Sequence, residues 1–123
     1  MATTQALVTT TGGTGASAGT ALTGGIRGFI MSIKITYASQ HANTDVTIAE
    51  SGGLGRTLLT LTNINTTRTD YPVVALTDNV GAAVSGQYRP YYIDGQPLLI
   101  TVAQGNDGAP GVTVTVTYVE DRD

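Results

Sequence analysis

One histidine, nine carboxylates and no cysteine set the chemistry open to this 123-residue chain. His41 lies in Ser39-Gln40-His41-Ala42-Asn43, and no nucleophile motif is read beside it. A histidine metal site needs more ligands than one imidazole and scattered aspartates supply. The expectation is an ordinary loop histidine. Without cysteine there is neither a disulfide framework nor a thiolate metal site. The carboxylates are Asp45, Glu50, Asp70, Asp78, Asp94, Asp107, Glu120, Asp121 and Asp123. Most fall in turns or at strand ends, where Asp bonds the local backbone. Glycoside hydrolysis needs two carboxyls facing across a cleft, and Asp45 with Asp70 is the pair left open. No cleft is expected in so small a β domain, so no catalytic residue, cofactor or metal is assigned. Calcium in the Asn106-Asp107 turn stays open, although the spacing of an EF-hand is absent.

Two further segments draw attention. Gly12-Gly13-Thr14-Gly15 has the look of a phosphate loop. It fails both phosphate patterns, since no Lys-Ser/Thr closes it and no G-x-G-x-x-G is present; it reads as flexible. Gln87-Tyr88-Arg89-Pro90-Tyr91-Tyr92 is more informative. Three of the six tyrosines and one arginine stand within five residues. Tyr and Arg carry much of the binding energy at protein interfaces. The expectation is one tyrosine in the core, with Tyr88 and Arg89 at a contact.

The elements that position these residues read as strands. Val112-Thr113-Val114-Thr115-Val116-Thr117-Tyr118-Val119 alternates apolar residues with threonine. That is a strand with one dry and one wet face. Ile26 to Tyr37 is a second, with Phe29, Met31, Ile33, Ile35 and Tyr37 on one face and Ile30 as the exception. Thr44–Glu50, Arg56–Thr62 and Tyr71–Leu76 follow, punctuated by the glycine turn Ser51–Gly55. Thr77 to Pro90 reads as irregular. Asp94-Gly95, between Tyr91-Tyr92-Ile93 and Leu98-Leu99-Ile100, is the best hairpin signal. Glu120 to Asp123 is a charged end. No segment has a helical period with caps. Met1 to Gly25 is rich in Thr, Gly, Ala and Ser, with one apolar pulse at Leu7-Val8. It reads either as a flexible tail or as an arm that orders on a neighbouring subunit.

Charge narrows the partners. Charged residues are 12% of the chain and the net charge is −3. Nucleic acid needs clustered Lys and Arg, whereas Arg27, Lys34, Arg56, Arg68, Arg89 and Arg122 are scattered. No apolar run reaches a membrane span, and no secretion signal is read at the N-terminus.

The order of these pieces resembles a known family. A Gly-Thr start precedes the Ile26–Tyr37 strand and Arg56-Thr57-Leu58-Leu59-Thr60-Leu61-Thr62-Asn63. Tyr71-Pro72, Gly81-Ala82-Ala83, the Tyr91–Val102 segment and the Val-Thr strand follow. Over residues 20–119 this resembles the small head decoration (cement) proteins and minor structural proteins of tailed bacteriophages. The resemblance implies a β-sandwich, often a homotrimer, that bridges capsomers on the outside of the head. The expected fold is therefore all-β: an antiparallel, two-sheet, jelly-roll-like sandwich over 26–123, with an extended N-terminal arm over 1–25. The expected function is non-enzymatic capsid decoration. The major capsid protein is the partner, the outer capsid surface of the virion is the location, and the host bacterial cytoplasm is the place of synthesis. Leu7, Val8, Tyr88, Arg89, Tyr91 and Tyr92 are the expected interface residues. The alternative is a receptor- or glycan-binding domain of a tail fibre or tip, with Tyr88, Tyr91 and Tyr92 as an aromatic platform.

Overall fold

The computed structural model describes residues 1–121, and every regular element in them is a strand. One sheet runs β1 (Ala2–Thr10), β11 (Gly108–Glu120), β3 (Ile26–Tyr37) and β6 (Arg68–Asp70); β9 (Tyr92–Gln96) also pairs with β3. A second sheet runs β2 (Ser17–Leu22), β10 (Leu98–Gly105), β4 (Asp45–Glu50) and β5 (Thr57–Leu61). β7 (Val73–Thr77) and β8 (Ala83–Pro90) form a separate two-stranded ribbon. All pairings are antiparallel. The inward faces of both large sheets feed one core. Val112, Val114 and Val116 meet Ile33, Ile35, Ile48, Ile100 and Val102 in it, all fully buried. Each such side chain stabilises the fold by about 1.5–3 kcal/mol.

The N-terminal residues do not extend from the domain as an arm or tail. β1 pairs with β11 from Ala2↔Tyr118 to Thr10↔Gly108, and β2 pairs with β10. Alternation explains it: Ala6, Val8 and Thr10 point inward, so the segment carries core side chains of its own. Its threonines are strand formers rather than tail residues. Only Gly12 to Ala16 is a turn, and it hands the chain from the first sheet to the second.

Three other expectations change. Phe29 and Met31 face outward, because β3 reverses its facing between Ile30 and Ile33. The register against β11 shifts there, with Thr117↔Ser32 followed by Tyr118↔Ile30. The extra residue, Met31, is a bulge, and a bulge inverts every side chain beyond it. Asp94-Gly95 is not a hairpin turn. Asp94 pairs with Arg27 and Gln96 with Ile26, which leaves Gly95 as the extra residue of a bulge at φ 79. After Pro97 the chain enters the other sheet as β10. Residues 83–90, read as irregular, form β8 against β7. Of the charged end, Glu120 closes β11, while Arg122 and Asp123 lie outside the described residues.

Candidate functional site

β5 ends one large sheet, and β9 with β6 ends the other. Arg56, just before β5, bridges them. Its Nε donates to Glu50 Oε1 at 2.7 Å and its Nη2 to Glu50 Oε2 at 3.3 Å. Nη2 also donates to the Tyr92 carbonyl on β9 at 2.7 Å. The guanidinium carbon lies 5.4 Å from the centre of the Tyr91 ring, a cation–π contact. Glu50 is the inward-facing last residue of β4, and its side chain is 4% exposed. A carboxylate placed there needs its cation. The hydrogen bond from Arg56 outweighs burial and holds the Glu50 carboxyl below its ordinary range.

Beside this bridge lies a cleft of about 450 Å³. Its walls are the Ser51–Gly55 turn, β9 and the end of β8; Leu54, Arg56, Arg89, Tyr92, Asp94 and Gln96 face it. The turn is built around Gln96. A Cβ on Gly53 would sit 2.0 Å from Gln96 Nε2, and Gly53 also has φ 60, so only glycine fits. Gln96 Oε1 is buried without a hydrogen-bond partner. Tyr92 is fixed at two points: its ring meets Phe29 edge-on with centroids 5.0 Å apart, and its hydroxyl donates to Asp121 at 2.6 Å. Asp94 is paired with Arg27 at 3.4 Å in an exposed contact. Arg89 is exposed and has no ion-pair partner among the described residues.

The expected interface residues therefore separate. Val8 is 0% exposed and belongs to the chain's own core, so it cannot anchor a neighbour; Leu7, on the opposite face of β1, is 54% exposed. Tyr91 is half-buried under Arg56 and Tyr92 is half-buried on the cleft wall. Arg89 reaches the same cleft, while Tyr88, 61% exposed, does not line it. Sequence reasoning missed Arg56, Glu50 and Gln96, whose partners lie in other elements.

Ser17, His41 and Asp107 gather at the opposite corner. Sequence reasoning passed over Gly15-Ala16-Ser17-Ala18-Gly19, which has the G-x-S-x-G spacing of a nucleophile elbow. That motif requires a strand-turn-helix, and here Ser17 opens strand β2, with no helix after it. Ser17 is fully buried, and its Oγ lies 2.7 Å from Gly13 O and 2.8 Å from Asp107 Oδ1. His41 accepts from Asn43 N through Nδ1, and its ring lies by Gly15. Asp107 thus takes the serine hydroxyl itself, and no imidazole stands between them as base.

The Gly12–Gly15 loop, read from sequence as flexible, is tied by hydrogen bonds to the Asn106-Asp107 turn. Gly12 N and Gly13 N donate to Asp107 Oδ1, and Gly15 N donates to Asn106 Oδ1. Successive N–H groups do form an anion nest, and the chain's own carboxylate fills it. Those donors hold Asp107 below its ordinary range, Ser17 first and the Gly13 amide next. Asn106 Oδ1 and Asp107 Oδ1 are both turned toward donors of the chain itself. Gln40 locks the corner, donating through Nε2 to Asn106 O and accepting from Asn106 N. Asp45 accepts from Asn63 N, Asp70 is chelated by Arg68, and neither lines the cleft beside Arg56. Among the described residues no three His, Asp or Glu side chains group as metal ligands.

No protein family, curated protein or solved structure matches the chain.

Proposed function

We propose that the protein is a non-enzymatic structural subunit of a virion, a capsid decoration protein on the outside of a tailed-phage head. The β7–β8 ribbon carries the reading. A two-stranded ribbon is marginal in water on its own, and this one makes few contacts with the rest of the chain, mainly with β3. Val73, Val80 and Tyr88 stand exposed on it, Val80 at 81%. Its only charges are Asp78 and Arg89, and Asp78 is engaged inside the turn by Val80 N and Ala82 N. Strand edges with few charges and with apolar side chains favour pairing with another chain.

In this reading the two large sheets are the layers of a jelly-roll-like β-sandwich. The ribbon replaces the N-terminal segment as the projecting element. Ribbons meet in a homotrimer, and each subunit touches a different major capsid protein. Weak contacts joined rigidly bind tightly through effective concentration. Only the assembled shell offers all of them, so binding stabilises the shell by mass action.

Sedimentation of the purified protein with empty expanded capsids tests the reading. Co-pelleting is expected. Protein that stays in the supernatant and binds host cells instead would sink it, and would favour the glycan-binding domain of a tail fibre or tip. That second reading draws on the cleft, where Tyr92 alone of the three platform tyrosines is present.

A further inference from the structure

We infer that the cleft between the Ser51–Gly55 turn and β9 is a binding site for a carboxylate-bearing sugar residue. The inference stands whether the chain sits on a capsid or on a tail fibre.

Charge selects the ligand. Four charged residues line the cleft: Glu50, Arg56, Arg89 and Asp94. Glu50 and Arg56 neutralise each other through two side-chain hydrogen bonds. Asp94 is matched by Arg27. Arg89 is left over, so the cleft carries one unmatched positive charge. A guanidinium presents a planar fork of donors that fits a carboxylate.

Hydrogen bonding and shape narrow the class. Gln96 offers an amide with both acceptor and donor capacity. Its Oε1 is without a donor and its Nε2 packs against Gly53. A buried acceptor left unpaired is costly, and a rotation of the Gln96 side chain toward a ligand hydroxyl or amide in the cleft relieves that cost. Tyr92 supplies a ring whose position is fixed by Phe29 and Asp121, and Leu54 supplies an exposed apolar edge. An aromatic wall, a neutral amide and one arginine match the C–H face, the hydroxyls and the carboxylate of an acidic sugar. The volume falls in the range of small-ligand sites, about 300–1,000 Å³.

A peptide laid along β9 is disfavoured by the same geometry. Strand addition needs free backbone groups, and the Tyr92 carbonyl already accepts from Arg56.

The test is an NMR titration of the full isotope-labelled chain with N-acetylneuraminate and with glucuronate, using galactose as the neutral comparison. Saturable binding of at least one acid is expected, with shifts at the Gln96 side-chain amide, Gly53 and the Arg89 guanidinium. Arg89→Gln, an exposed change with no partner to lose, should fold as the parent does and weaken binding at least about tenfold. Three results overturn the inference: no saturable binding of either acid, equal binding of galactose, or binding that survives Arg89→Gln. A glutamate-rich peptide that competes for the same shifts while both sugars fail would reassign the cleft to a protein partner.

Discussion

At the scale of single residues, the informative groups are those whose partners come from elsewhere in the fold. Arg56 answers a buried carboxylate, a strand carbonyl and an aromatic ring at once. Arg56→Ala leaves Glu50 buried without a cation and is expected to destabilise by about 2–4 kcal/mol, read by thermal or denaturant unfolding. Arg56→Lys should recover only part of this, because an ammonium cannot fork across carboxylate and carbonyl. Glu50 and Asp107 are both held below the ordinary carboxylate range by their donors. A carboxylate with a lowered folded pKa stabilises the native state above its unfolded pKa. That contribution is lost as pH falls through the lowered value. Melting temperature should therefore hold from neutrality to about pH 5 and drop below about pH 4. Asp107→Asn should flatten the drop; an unchanged slope would remove Asp107 from the account. Tyr37 shows the opposite case. Burial, partly offset by Arg68, pushes its hydroxyl up to about 12, and that hydroxyl is buried without a partner. Tyr37→Phe deletes an unsatisfied group, so unfolding should show it neutral or stabilising by up to about 1 kcal/mol. A clear loss would mean that the hydroxyl has a partner, such as bound water.

At the scale of elements, what could be read from the sequence depended on whether a signal was local. The Val-Thr alternation of β11 is a local period, and Val112, Val114 and Val116 do face the core with Thr113, Thr115 and Thr117 outside. Arg89 and Tyr92 were visible as binding residue types, and both line the cleft. Phe29 and Met31 were misplaced because the bulge at Met31 depends on pairing with β11, which no neighbouring residue announces. Asp94-Gly95 reads as a hairpin turn in sequence, and the structure uses the positive φ of Gly95 in a bulge instead. A positive φ serves a bulge as well as a turn, and only the partner strand distinguishes them. The first 25 residues misled by composition: Thr and Gly suggested flexibility, while Ala6, Val8 and Thr10 kept strand spacing beneath it. This gives an element-scale test. Deleting residues 1–15 removes β1 and strips β11 of one neighbour. The truncated chain should lose its cooperative melt and its β-sheet circular dichroism. A truncated chain that melts like the parent would restore the segment to the role of an arm.

At the scale of the whole molecule, two surfaces compete for the contact that the proposed decoration role requires. One is the face of β1, β11 and β3. It carries rows such as Thr3–Thr117–Ser32 and Leu7–Thr113–Thr36, with Lys34 between them beside Thr115. It is polar along these rows, where Gln5 and Thr115 already bond each other, and it also exposes Leu7, Phe29, Met31 and Val119 in part. β11 is also flanked by strands on both sides, so it has no edge to offer. The other is the β7–β8 ribbon, apolar at Val73, Val80 and Tyr88. Lysine at an edge blocks pairing at little cost to an exposed position. Val80→Lys with Tyr88→Lys should therefore change unfolding free energy by no more than about 0.5 kcal/mol for each exposed site. The same pair should reduce the solution mass to that of the monomer and abolish capsid co-sedimentation. Leu7→Lys puts the same charge on the threonine face and should leave mass and sedimentation unchanged. If Leu7→Lys disperses the assembly and the ribbon pair does not, the contact lies on the β1–β11–β3 face. The ribbon would then need another explanation for its exposed valines.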